Sequence, residues 1–95
     1  MTKFGELINV EQPVLFDFYF KLEDREIEII RDVAIALGNQ ARVIKINIKK
    51  NEQLAEALEV KENSTFIIYK KGEMKWRKTG EQDSNTLINL VQQYV

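Results

Sequence analysis

Apolar residues follow two rhythms along this chain, and the rhythms mark out alternating strands and helices. VLFDFYF, from Val14 to Phe20, is apolar or aromatic at every position but one, which is how a central strand covered on both faces reads. RVIKINI, Arg42 to Ile48, alternates and is β-branched, so it predicts a second strand. Between them a helix runs to about Leu37, where Gly38-Asn39 form a C-terminal stop. At about 100° per residue, its Ile29, Ile30, Val33, Ala36 and Leu37 share one face and should meet the sheet. NEQLAEAL, Asn51 to Leu58, opens on a good N-cap and predicts a short helix. TFIIYKKGEMKWRKTG, Thr65 to Gly80, reads as two strands joined around Lys71-Gly72. DSNTLINLVQQYV is a closing helix, capped by Asp83 or Ser84, with a stripe at Leu87, Leu90, Val91 and Tyr94. Pro13 separates the first strand from a short N-terminal helix at about residues 3–10.

The order is a βαβ unit, a connecting helix, a β-hairpin and a last helix. A right-handed crossover makes the first two strands parallel and places helices on both faces of a four-stranded mixed sheet. The fold class is therefore α/β. Its 95 residues make a single domain, 1–95.

Composition removes more than it adds. The net charge of -1 suggests neither nucleic-acid nor membrane attraction. No apolar run approaches the roughly 18 residues that cross a bilayer. The start, MTKFGELINV, lacks a signal-peptide core, so a cytoplasmic location is expected. The chain has no cysteine and no histidine. It thus lacks a disulfide, a thiolate nucleophile, a thiol metal site and the usual acid/base near neutral pH. No cofactor is expected.

Several blocks resemble the thioredoxin family, and the resemblance runs over nearly the whole chain from Pro13 on. QPVLFDFY is similar to the thioredoxin opening KPVLVDFW, and VIKINIKKNEQLAEALEVKENST resembles the segment running from KLNID to IPT. IIYKKGEMKWRKTG resembles the LFKNGE…KVG hairpin, with Gly72 and Gly80 at the matching places. The resemblance implies a thioredoxin-like fold in a degenerate member, because the functional positions depart. Where thioredoxins carry WCGPC, the same register gives Leu22-Glu23-Asp24-Arg25-Glu26, so Glu23 and Glu26 stand at the two cysteine positions. Disulfide exchange needs a thiolate attacking sulfur, and a carboxylate cannot supply it.

The family's cis-proline position is held by Ser64. A cis bond costs about 2.5–4 kcal/mol before a residue other than proline, so Asn63–Ser64 is expected to be trans, and whether the family's peptide groove is kept stays open. Asp17 matches the family's buried acid and Lys45 its lysine neighbour, which implies a retained semi-buried ion pair. Breaking one side of such a pair costs on the order of 3–5 kcal/mol.

The acids Glu23, Asp24, Glu26 and Glu28 have two readings. They could ligate a hard cation or act as acid and base, or simply complement the positive end of the helix, each worth about 0.3–1 kcal/mol. The second is preferred, and no metal site is assigned. Ile27 and Ile35, with Arg31 between them, fall off the core face and offer a strip for a partner or a homodimer, against the ordinary occurrence of single exposed apolar side chains. YKKGEMKWRK sets basic residues around Trp76, a pattern some single-strand binders use. Edge protection of the last strand explains it better, and no nucleic-acid partner is expected. The sequence therefore points to a non-catalytic, redox-inactive thioredoxin-fold protein with a protein partner. Its candidate binding face is Tyr19, Ile27, Asn63, Ser64 and Thr65. The alternative is a thiol-independent enzyme or divalent-metal site using Glu23 and Glu26.

Overall fold

The computed structural model describes residues 3–95; Met1 and Thr2, with the parts of the expected domain and leader reading that fall on them, lie outside it. The elements are α1 (Phe4–Ile8), β1 (Val14–Tyr19), α2 (Asp24–Leu37), β2 (Arg42–Asn47), α3 (Glu52–Ala57), β3 (Thr65–Lys70), β4 (Glu73–Thr79) and α4 (Ser84–Gln92). The strands form one sheet in the order β2-β1-β3-β4. β1 pairs parallel with β2 and antiparallel with β3, and β3 pairs antiparallel with β4. This is the expected thioredoxin-like fold.

Alternate residues of a strand point to opposite faces, and β1 shows it. Phe16 and Phe18 pack with Ile46, Ile67 and Tyr69 over Ala55 of α3, and Phe4 closes this layer. Its ring stands 5.0 Å from Phe16 and 5.3 Å, edge-on, from Tyr69. Leu15 faces the other way, with Phe66 and Ile68, against Ile30, Val33 and Leu37 of α2 and Leu87 and Val91 of α4. Each such side chain taken fully from water contributes about 1.5–3 kcal/mol, so both faces of the central strands are committed to core. Asp17 lies two residues from Leu15 and so shares the α2 side.

Turn and cap chemistry follows the chain closely. Lys71 and Gly72 both have positive φ, 53° and 83°, as a two-residue hairpin turn matched to the strand twist requires. Asp83 caps α4 by accepting the Thr86 amide at 2.8 Å. Asn51 holds the N-cap position of α3, but its side chain donates back to the Asn47 carbonyl at 2.9 Å instead of capping.

Two expectations need correction. Ala36 is exposed. The stripe that α2 buries runs through Ile30, Val33 and Leu37, and Ala36 falls on its flank. The Asn63–Ser64 bond is cis, not trans. Hydrogen bonds on both sides hold the loop: Asn63 Oδ1 accepts the amides of Phe20 at 2.7 Å and Lys21 at 3.2 Å, and the Ser64 carbonyl accepts that of Gly80 at 2.8 Å.

Candidate functional site

The turn after β1, the start of α2 and the 63–64 loop meet at one end of the sheet. Glu23 occupies the N-cap position of α2 without capping through its side chain. Asp24 is exposed in the first turn, where its charge complements the helix end. Glu26 behaves differently. It stands four residues before Ile30 and seven before Val33, which puts it on the buried stripe of α2 facing the sheet. Its Oε1 accepts the hydroxyl proton of Ser64, and its Oε2 is buried with no partner.

Beneath Glu26 lies Asp17, fully buried and, among the described residues, with no hydrogen-bond donor on either oxygen. The expected ion pair with Lys45 is not formed. Lys45 is in register with Asp17, but it is exposed on the edge strand and is absent from the ion pairs of the described residues. An ammonium that stays in water attracts a buried carboxylate weakly. What faces Asp17 is another acid. Burial, then a hydrogen bond to Glu26, then the Glu26 charge push the Asp17 carboxyl up from 3.8 to about 8, and Lys45 pulls the other way. The raised Asp17 carboxyl favours its protonated form, which can donate to the facing Glu26, whereas two ionised carboxylates would repel each other.

A cleft of about 240 Å³ opens above this pair, walled by Glu23, Arg25, Glu26, Asn63, Ser64 and Glu81. Arg25 and Glu81 face each other across solvent at 3.5 Å. A second hollow, about 500 Å³, is lined by the continuous stretch Lys49–Leu54 and joins no distant parts of the chain. Among the described residues, no group of three or more carboxylates is placed to hold a metal ion.

Of the candidate binding face, Asn63 and Ser64 form one wall of the cleft. Tyr19 is half-buried and Ile27 is 39% exposed, both outside its walls. Thr65 is buried, because as the first residue of β3 it is paired on both sides, with Phe18 and with Thr79. The sequence reading missed the Asp17–Glu26 contact. Its signal was available in the spacing that aligns Glu26 with Ile30 and Val33.

A cysteine-free cleft between a helix start and a loop, above a buried acid on the central strand, sits on a fold already shared by one large class of proteins. A family model described as thioredoxin matches residues 1–93, and the chain belongs to the thioredoxin family. Among curated relatives, the chloroplastic thioredoxin Y of Oryza sativa is 32% identical over 95 residues, covering 96% of this chain and 56% of that protein. The chain thus spans little more than half of that relative. A thioredoxin of Rickettsia prowazekii is 27% identical, covering 92% of this chain and 86% of the other. Among solved structures, mitochondrial thioredoxin 3 of Saccharomyces cerevisiae superposes with a TM-score of 0.82 at 19% identity, over 95% of this chain and 86% of that one. A mutant thioredoxin from Halobacterium salinarum gives 0.79 at 27% identity, over 95% and 80%.

Proposed function

We propose that this thioredoxin-family chain is redox-inactive and serves as a protein-interaction or accessory domain, docking its partner at the cleft between α2 and the 63–64 loop. The observation that supports this reading is the combination of an organised cleft with a chain that has no cysteine. A thiolate is required for disulfide exchange, and carboxylates stand in its place. The relatives named thioredoxin share the scaffold, and their names say nothing of a thiol here. Two assays test the reading. The purified chain should not accelerate insulin reduction by dithiothreitol, and acceleration would overturn it. Affinity capture should retain a partner on the wild type that an Arg25→Glu variant or a Glu81→Lys variant, both altered at the cleft walls, loses; equal retention by all three removes the docking face.

The rival reading, thiol-independent catalysis at Glu23 or Glu26, gains one observation: a carboxyl proton kept near neutral pH. The raised carboxyl is that of Asp17, which is fully buried beneath Glu26 and is not among the cleft walls. The arrangement favours the interaction reading.

Self-association through Ile27, Arg31 and Ile35 is a separate part of the proposal. Ile27 is 39% and Ile35 73% exposed on the outer side of α2. Sedimentation of wild type and Ile35→Lys should show a dimer lost in the variant; a wild type that stays monomeric at high concentration ends it.

A further inference from the structure

The buried acids have no counterpart in the interaction reading, and the chain spends a central-strand position on one of them. Asp17 has two unpartnered oxygens under α2, and Glu26 adds a third in Oε2. Among the described residues, the one hydrogen-bond partner of the Glu26 carboxyl is Ser64, through Oε1. Ser64 in turn belongs to the loop that holds the cleft wall, where Asn63 Oδ1 receives Phe20 and Lys21 and the Ser64 carbonyl receives Gly80.

We propose that Asp17 and Glu26 form a one-proton switch beneath the cleft: with the proton in place they hold each other, and without it Glu26 leaves Asp17 and carries the Ser64 loop with it. The asymmetry of the two partners sets the direction. Asp17 is fixed on the central strand in full burial, whereas Glu26 lies at the first turn of α2, half-buried, with open cleft above it. Like charges in a buried site repel strongly, so the movable one turns toward water. The other groups facing the pair do not prevent this. β2 presents Lys45, which stays in solvent and favours ionised Asp17, but by the smallest of the four influences on it. β3 presents Phe66 beside Asp17. At the cleft mouth, Glu23 and Glu81 add negative charge, and Arg25 is engaged with Glu81. The direction of the Asp17 shift, raised by burial and by Glu26, agrees with a proton retained into the neutral range.

The consequence for docking rests on the reading of the cleft as the interaction face, but the switch does not need a partner to be seen. Two-dimensional NMR of the free chain, titrated from acid to alkaline pH, tests it directly. The carboxyl carbon of Asp17 should titrate far above the ordinary aspartate range. The amides of Phe20, Lys21 and Gly80 should shift with the same midpoint. Asp17→Asn should abolish the alkaline step in all three amides. Glu26→Gln should lower the Asp17 midpoint without returning it to the ordinary range, because burial persists while the Glu26 contributions vanish. In Ser64→Ala the Asp17 step should remain while the amides stop following it. Asp17 titrating in the ordinary range, amides that do not move with it, or an alkaline step surviving Asp17→Asn would each overturn the switch. Dispersed spectra at neutral pH establish that each variant is folded. Failure of affinity capture leaves these outcomes untouched, so the two readings fail separately.

Discussion

A carboxyl group withdrawn from water must find donors or keep its proton, and Asp17 has no donor among the described residues. Its carboxyl is raised from 3.8 to about 8. Between those values the folded chain holds a proton that the unfolded chain has released. Stability therefore falls as pH rises from 3.8 to about 8 and levels beyond it. Asp17→Asn removes this titration and offers Glu26 an amide donor. Urea unfolding at several pH values should show a flatter profile for the variant and a gain at alkaline pH of roughly 1–3 kcal/mol. This reverses the loss expected of a broken Asp17–Lys45 ion pair. A variant less stable at alkaline pH, with the slope unchanged, would restore that ion pair and remove the shared proton. The acid itself was legible as a polar residue inside an apolar run. Its partner was legible only in part: spacing puts Glu26 on the buried stripe of α2, but which strand residue it meets depends on how the helix is rotated over the sheet.

At the scale of elements, what the chain declares locally is what the structure keeps. The Lys71-Gly72 turn, the Asp83 cap and the burial of Ile30, Val33 and Leu37 depend on dihedral preferences and periodicity within a few residues. The departures differ in origin. The 63–64 bond is set among hydrogen bonds to Phe20, Lys21 and Gly80, far away in sequence, whereas Asn51 departs for a local reason, its side chain turning back four residues to the Asn47 carbonyl. Asp83 is a clean local case. Its carboxyl is held below its usual value by the Thr86 amide it accepts. Asp83→Ala should lower the midpoint of thermal or urea unfolding measurably, while Asp83→Asn should retain most of the stability. Equal losses in both would mean that charge at the helix end, not the cap hydrogen bond, does the stabilising.

Across the whole molecule, the sheet order and the two-sided core follow from a continuous apolar β1 and β3 with helices before and after them. The pattern gives the elements and a four-stranded mixed sheet with helices on both faces, the family resemblance supplies the particular fold, and neither pointed to the two acids facing each other beneath the cleft. The remaining question at this scale is whether loss of sulfur alone separates this scaffold from catalysis. Glu23 and Glu26 lie three residues apart at the start of α2, a separation at which a helix brings Cα atoms within disulfide reach, about 4.4–6.8 Å. Glu23→Cys/Glu26→Cys supplies the missing thiols and replaces the carboxyl facing Asp17. Two of the three causes that raise Asp17 then vanish and burial remains, leaving a buried acid able to exchange a proton with a thiol. The double variant should form an intramolecular disulfide, seen by mass spectrometry after alkylation, and should accelerate insulin reduction where the wild type does not. Disulfide formation without acceleration would show that the 63–64 loop and its surroundings have moved away from a productive geometry. In that case the redox site was lost in the scaffold as well as in its cysteines.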